Sequence, residues 1–154
     1  MEQTKQESKH QYKVFTDGAY SSSRDQGGIG ILITKDDKII LEYSKMYSKV
    51  SNNKMELGAV IVALRLIKNP IDSLIIYTDS EYVRGCAVLG WNRNKNKTLW
   101  TEFDKQFERV KQLCPNIEFI HVDGHQNDDS IETKYNNLAD KLAVKASQEL
   151  CSQD

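Results

Sequence analysis

A short apolar run, SLIIYT at residues 73–78, most constrains how this 154-residue chain can fold. Its apolar side chains follow one another without alternation, and polar residues bound the run on both sides. This pattern is typical of a central strand that is covered on both faces. Such a strand needs helices above and below its sheet, so the sequence predicts an α/β protein, and the length suits one domain.

Three β-rich segments precede this strand and one follows it. We predict a first strand from Tyr12 to about Asp17, then strands at 27–34 and 38–46 joined by a polar turn, and a fifth strand at 116–122. The first three would pair as an antiparallel meander. The later strands, each reached across a helix, would add in parallel. The expected architecture is a mixed five-stranded sheet flanked by helices.

Four helices are predicted around this sheet. Asn52 or Asn53 can cap a helix that runs to about Lys68, because the following Asn69-Pro70 disfavours helical backbone. Further helices are predicted at 80–89 and 99–113, and a last helix is predicted to begin at Asn136 or Asn137 and to end near residue 150. Residues 1–11 are expected to form a disordered polar tail, which leaves one folded domain at 12–150.

Charge and composition exclude several classes of protein. The chain has 21 Lys and Arg against 22 Asp and Glu, so a nucleic-acid ligand would have to be bound by local patches. No apolar run approaches the roughly 20 residues needed to cross a bilayer, and the polar start lacks a secretory signal. We expect a protein without a membrane partner, located in the cytoplasm, nucleus or virion. The cysteines show neither disulfide nor zinc spacing.

Glu56 is the most informative single residue for function. At about 100° per residue it shares a helical face with Val60, Ala63 and Ile67, so its charge is directed toward the core. Burying an unpaired carboxylate costs several kcal/mol unless a cation or hydrogen bonds compensate. Lys54 or a distant arginine could provide that compensation, and so could a bound metal ion.

Three more acids stand where they could converge with this glutamate. Asp17 and Asp79 each follow a predicted strand, and ligands of open α/β sheets bind outside strand ends. Asp140 borders the apolar face of the last helix. Taken singly, each has an ordinary alternative role as a turn residue, a helix cap or a first-turn acid. Together they would repel unless cations lay between them, and an all-oxygen site suits Mg²⁺ or Mn²⁺.

Five ordered motifs connect these acids to a known family. They are FTDGAY at 15–20, SNNKMELGAVIVAL at 51–64, YTDSEYV at 77–83, VDGH at 122–125 and NNLADKLA at 136–143. With these five motifs in this order, the chain resembles the type 1 ribonucleases H over roughly residues 12–147. The resemblance implies the ribonuclease H-like fold and a single catalytic domain at 12–150. It also implies an endonuclease that cuts the RNA strand of RNA–DNA hybrids and leaves 3′-hydroxyl and 5′-phosphate ends.

The resemblance implies a catalytic role for five side chains. Two Mg²⁺ ions, for which Mn²⁺ can substitute, would be held by Asp17, Glu56, Asp79 and Asp140. Two ions about 3.5–4 Å apart can activate water and stabilise a leaving oxygen. His125 would assist proton transfer and product release, the alternative being an ordinary loop histidine. We expect the protein to be a monomer, and the sequence does not indicate a protein partner.

The resemblance also implies a set of contacts with the hybrid duplex, which presents 2′-hydroxyls in a shallow minor groove. The residues are Asn52 and Asn53 in the minor groove, Gly18, Ala19, Tyr20 and Asn136 on the RNA strand, and Lys49, Ser51 and Asn96 around a DNA phosphate. Solvated loop residues and helix caps are the alternative interpretations of these polar side chains.

Three departures from the family pattern weaken particular inferences. Lys49 replaces an arginine and Glu81 a glutamine, and the stretch between residues 84 and 99 is shorter than in members with a long basic protrusion. Hybrid affinity should therefore be lower and sensitive to salt. Two other hypotheses are a catalytically silent hybrid binder, against which the four acids argue, and an integrase-like or resolvase-like nuclease, against which NNKMEL argues.

Overall fold

The computed structural model describes residues 9–123 and 128–150, and within them one sheet of five strands. The strands are β1 (Gln11–Ser21), β2 (Gln26–Lys35), β3 (Lys38–Ser48), β4 (Ser73–Thr78) and β5 (Ile117–His121). Their order across the sheet is β3-β2-β1-β4-β5. The first three strands pair antiparallel, whereas β4 pairs in parallel with both β1 and β5. The predicted mixed α/β sheet is confirmed.

Four helices complete the described part of the chain. They are α1 (Asn52–Leu66), α2 (Glu81–Ala87), α3 (Lys97–Leu113) and α4 (Ile131–Ser147). The predicted succession of strands and helices is confirmed. Across the described ranges, every helix is too short or too polar to traverse a lipid bilayer.

The sheet separates two apolar cores because successive strand residues face opposite sides. On β1, Val14 belongs to the larger core, which α1 and α3 cover, whereas Phe15 faces α4. The Phe15 ring stacks on Tyr77 with ring centres 4.6 Å apart and meets the edge of Tyr135 at 5.6 Å. The two-sided cover explains why SLIIYT lacks alternation.

Strand β1 extends past its predicted end. Its pairing with β4 stops at Phe15 and Tyr77, while its pairing with β2 continues to Ser21. Asp17 therefore lies within β1. The sequence had placed it after the strand, and that prediction was wrong. Asp17 nevertheless lies just beyond the end of the parallel pairing, which is where a crevice opens.

The predicted caps of two helices were wrong. Ser51 caps α1 by accepting a hydrogen bond from the Lys54 N–H at 3.2 Å, so neither Asn52 nor Asn53 is the cap. Helix α4 begins at Ile131, five residues before Asn136, with Ser130 as its cap. The sequence analysis missed this first turn because most of its residues are polar, and long-range contacts help to stabilise it.

Those long-range contacts come from β1 and from the turn between β2 and β3. The Lys13 ammonium lies 2.8 Å from both Glu132 and Asp37, and the Tyr135 hydroxyl donates to the Asp37 carbonyl at 2.8 Å. Burial opposes the charged form of Lys13, but its two carboxylate partners more than compensate and raise the pKa of the ammonium. These bonds hold the start of α4 against the sheet.

Two glycines of β2 let α4 approach the sheet closely. A Cβ atom at Gly30 would lie 2.1 Å from the Ala139 carbonyl oxygen, and one at Gly28 would lie 2.3 Å from the Ala143 carbonyl oxygen. Only glycine leaves room for helix backbone at these distances. This contact sets how deep Asp140 lies relative to β1.

Candidate metal centre and its surroundings

Three carboxylates from separate elements meet at one end of the sheet. Asp17 comes from β1, Glu56 from α1, and Asp79 from the residue after β4. Their nearest oxygen atoms all lie within 4.8 Å of one another. Asp17 and Glu56 are buried, at 4% and 6% exposed, and Asp79 is partly exposed. The structure thus brings together three of the four predicted acids.

Close contact between α1 and β1 positions Glu56. A Cβ atom at Gly18 would lie 2.4 Å from the Glu56 backbone nitrogen, so glycine is required where the helix crosses the strand. The Gly18 N–H donates to Glu56 Oε1 at 3.0 Å. The other oxygen, Oε2, is buried without a hydrogen-bond partner among the described residues. A buried carboxylate oxygen left in this way is suited to bind a cation.

Asp140 reaches the same centre from α4. It is the tenth residue of that helix, so the alternative that it is a first-turn acid favoured by the helix dipole is wrong. Asp140 lies close enough to Asp17 to contribute to the raised pKa of the Asp17 carboxyl. Asp140 thus adjoins the three-carboxylate cluster through Asp17, without belonging to the group whose oxygens lie within 4.8 Å.

Crowding and burial penalise the charges of this cluster. Burial first, and then the neighbouring Glu56, Asp140 and Asp79, raise the pKa of Asp17 above its ordinary value. Burial and Asp79 likewise raise the pKa of Glu56, against the opposing effect of the bond from the Gly18 N–H. Both shifts indicate that the ionised carboxylates have no compensating positive charge nearby in the described part of the chain. A divalent cation bound by these oxygens would supply that charge.

We expect the metal-free protein to lose stability as pH rises through the range in which these acids ionise. Because the folded-state pKa values lie above the unfolded values of about 4, unfolding releases protons between the two and becomes easier as pH rises. Replacing Asp17 with asparagine removes one such charge. In EDTA, the Tm of Asp17→Asn should therefore exceed that of the wild type by more at pH 8 than at pH 5.

The same Tm measurements, repeated with added Mg²⁺, test metal binding. Mg²⁺ should raise the Tm of the wild type more at pH 8 than at pH 5, and should raise that of Asp17→Asn much less. Glu108→Gln removes an exposed carboxylate and serves as the control. A Tm difference between Asp17→Asn and wild type that is independent of pH would contradict this account.

Most of the residues predicted to contact the minor groove and the RNA strand are at least partly exposed. Asn52 and Asn53 are exposed in the first turn of α1, and Tyr20 is 38% exposed near the end of β1. Asn136 is different, because it is only 7% exposed and its Oδ1 atom has no partner among the described residues. It lines a small cavity of about 60 Å³ beside the end of β5.

A separate cleft of about 410 Å³ lies between the start of α1 and the start of α3. It is lined by Val50, Lys54, Met55, Gly58, Asn96, Lys97, Thr98 and Leu99. Lys49 and Ser51, the other predicted phosphate contacts, flank Val50 in the chain. The Lys49 backbone has a positive φ of 54°, and its N–H donates to the Asp25 carbonyl at 3.0 Å. Three lysines thus lie at or beside this cleft.

One predicted residue cannot be placed and one neighbour was missed. His125 lies outside the described residues. His121, to which the sequence assigned no role, lies at the end of β5, and its Nε2 atom is 3.1 Å from the Asp79 carbonyl oxygen. Its position at the end of the strand beside β4 was the available signal, because ends of neighbouring parallel strands meet.

Comparisons with known proteins agree with this geometry. A family model described as RNase H matches residues 9–148. A protein named Ribonuclease H from Trichodesmium erythraeum (strain IMS101) is 36% identical over 154 residues, which cover 94% of this chain and 93% of the relative.

Two solved structures extend the comparison to three dimensions. LC11-RNase H1, solved in complex with an RNA/DNA hybrid, is 26% identical with a TM-score of 0.67, and the match covers 88% of this chain and 95% of that one. Prototype foamy virus protease-reverse transcriptase is 25% identical with a TM-score of 0.70 over 92% of this chain. The match spans 21% of the viral chain.

Proposed function

The chain belongs to the ribonuclease H family, and on that premise we propose that it is an endonuclease that hydrolyses the RNA strand of RNA–DNA hybrids. The observation that carries this proposal is the convergence of Asp17, Glu56 and Asp79, with a buried oxygen of Glu56 left unpartnered among the described residues. Members of this family depend on a metal, and these residues are the ones suited to hold it.

We propose that Asp17, Glu56, Asp79 and Asp140 hold two divalent ions, Mg²⁺ or Mn²⁺. An all-oxygen donor set suits these hard cations better than zinc. When bound, the ions supply an activated water and stabilise the leaving 3′-oxygen of the scissile phosphodiester. The products would carry 3′-hydroxyl and 5′-phosphate ends.

The chain's own groups position the reactants. The Gly18 N–H fixes one oxygen of Glu56, and the other, which has no partner among the described residues, would be free to bind a cation. Asp17, Glu56 and Asp79 are thus brought together before substrate arrives, with Asp140 beside Asp17. We propose that His125 moves a proton near the leaving group and helps product release, as the family motif implies.

We propose that the hybrid lies across the start of α1. Asn52 and Asn53 would read the minor groove, while Gly18, Ala19, Tyr20 and Asn136 would contact the RNA strand. Lys49, Ser51 and Asn96 would grip a phosphate of the DNA strand at the cleft. Recognition by shape and 2′-hydroxyls would explain preference for a hybrid over duplex DNA.

A nuclease assay with four substrates tests this function. Purified protein with Mg²⁺ or Mn²⁺ should nick the labelled RNA of a hybrid, and should leave duplex DNA, double-stranded RNA and single-stranded RNA uncut. Binding of the hybrid without any cleavage would favour the silent binder. Cleavage of duplex DNA with equal efficiency would favour another nuclease class.

Lys49→Ala should weaken hybrid binding in a salt-dependent way. Losing one lysine–phosphate contact removes one released counterion, so the slope of log affinity against log salt should fall by about 1. Titrations of hybrid in EDTA between low and moderate salt measure this slope. Lys38→Ala, which removes an exposed lysine at the opposite end of β3, is the matched control. An unchanged slope for Lys49→Ala would discard the phosphate contact.

Three organisational features remain predictions from the sequence. The protein is proposed to act as a monomer, to use one catalytic domain at 12–150, and to work in the cytoplasm, nucleus or virion. Sedimentation of the purified chain with and without hybrid would test the first.

A further inference from the structure

Tyr82 connects the two parts of the proposed substrate site. It is the second residue of α2 and lies three residues after Asp79 in the chain. Asn96 Nδ2 donates to the hydroxyl at 3.0 Å, and Trp100 Nε1 donates to it at 2.8 Å. One oxygen atom thus accepts two hydrogen bonds from α3 and the residue before it.

Trp100 fixes the position of this hydroxyl. The indole is 2% exposed, and its ring meets the Tyr82 ring edge-on with centres 5.9 Å apart. The Arg93 guanidinium lies over the indole at 4.5 Å and is itself held by Asp104. A buried ring with one donor directed at one acceptor permits little movement of Tyr82.

Asn96 is oriented by this contact and is not used as an ordinary helix cap. It precedes α3 with a left-handed backbone, φ 58°, and its side chain makes no capping hydrogen bond. An asparagine at this position usually accepts a bond from the first turn of its helix. Here its amide donates to Tyr82, while the residue lines the cleft beside Lys54 and Lys97.

We propose that Tyr82 is a positioning residue that holds Asn96 at the DNA-phosphate cleft, at a fixed spacing from the metal centre. The inference rests on the proposed function, because it assumes that a hybrid is the substrate and that the cleft grips a phosphate. Tyr82 itself touches neither the metal centre nor the phosphate. It acts through Asn96, and its place on the helix that starts beside Asp79 links the grip to the point of cleavage.

Tyr82→Phe tests this role because it keeps the ring and removes only the hydroxyl. We expect KM for the hybrid to rise about 3- to 10-fold, the worth of one hydrogen bond, with kcat unchanged. Asn96→Leu should give the same split with the Tyr82 hydroxyl intact. The double variant should have a KM no higher than that of the poorer single variant, since both changes break the same contact between Asn96 and Tyr82.

Tyr135→Phe is the matched control, because it removes a hydroxyl that donates to the Asp37 carbonyl in the turn between β2 and β3, away from the cleft. Tyr135→Phe should lower the Tm about as much as Tyr82→Phe does, but it should leave KM for the hybrid unchanged. A KM that rises equally in both tyrosine variants, or additive effects of Tyr82→Phe and Asn96→Leu, would overturn the inference in favour of a structural role.

A scan of the substrate gives a second measurement. A set of hybrids is prepared, each with a single uncharged methylphosphonate at a different linkage of the DNA strand. For the wild type, the substitution at one linkage should raise KM more than the substitution at any other. Tyr82→Phe and Asn96→Leu should flatten that maximum, and Tyr135→Phe should keep it. An unchanged maximum in Tyr82→Phe overturns the inference alone. If no linkage is sensitive in the wild type, the proposal that the cleft binds a DNA phosphate is overturned as well. If the wild type leaves hybrids uncut, the proposed function is overturned.

Discussion

Asp17→Asn should reduce hybrid cleavage by at least about 1,000-fold, which corresponds to about 4 kcal/mol of transition-state stabilisation. Asparagine matches the size of aspartate but lacks the negative charge that binds a dication. Asp17 is central to the cluster, since Glu56, Asp79 and Asp140 all act on it. Asp79→Asn should also lose activity, since it removes another of the three converging carboxylates.

Single-turnover cleavage of labelled hybrid in Mg²⁺ measures this loss. Glu108→Gln, which removes an exposed carboxylate on α3, should cleave like the wild type. The metal-free Asp17→Asn protein should be at least as stable as the wild type, so that lost activity cannot be assigned to unfolding. Cleavage by Asp17→Asn within about tenfold of the wild-type rate would remove the metal-centre proposal.

Gly30→Ala should destabilise the protein by at least about 3 kcal/mol, the upper range for overpacking a core. The added methyl would meet the Ala139 carbonyl oxygen at 2.1 Å and the Ala143 nitrogen at 2.7 Å. Both are backbone atoms of α4, which cannot rotate away as a side chain can. The helix must therefore shift, and Asp140 would shift with it.

Thermal unfolding in EDTA and in Mg²⁺ measures both consequences. For a chain of this size the loss corresponds to a Tm decrease of about 6–12 °C. The benefit of added Mg²⁺ should also shrink, because Asp140 moves. Gly58→Ala is the matched control, since nothing lies within 4 Å of its added methyl. It should stabilise α1 by about 0.5–1 kcal/mol. A neutral Gly30→Ala would show that α4 does not depend on this close approach.

Much of the sheet followed from local patterns in the sequence. The uninterrupted run at 73–78 predicted a strand covered on both faces, and β4 lies inside the sheet with helices on each side. The helical spacing of Glu56 with Val60 and Ala63 predicted a buried glutamate, and Glu56 is 6% exposed. Side-chain periodicity is a local property that records which face is buried, so these features could be predicted without any partner.

Helix starts were less predictable, because contacts between distant residues decide them. Most residues in the first turn of α4 are polar, and Glu132 there pairs with Lys13 across the molecule. Its start at Ile131 also changes the interpretation of Asp140, which lies in the middle of the helix. A dipole-favoured acid in a first turn would have been a local matter, whereas this aspartate depends on how α4 crosses β1 and β2.

By itself, the sequence determined the order of strands and helices and the family that the five motifs resemble, and it predicted which residues carry the chemistry. It could not determine that three carboxylates lie within 4.8 Å of one another, that one oxygen of Glu56 is left without a protein partner among the described residues, or that the Tyr82 hydroxyl joins Asn96 to Trp100. The reason is physical. Periodicity and caps arise between residues that are neighbours in the chain. The distances between the carboxylates, in contrast, are set by how α1 and α4 pack on the sheet. That packing depends on glycines and side chains that are far apart in sequence.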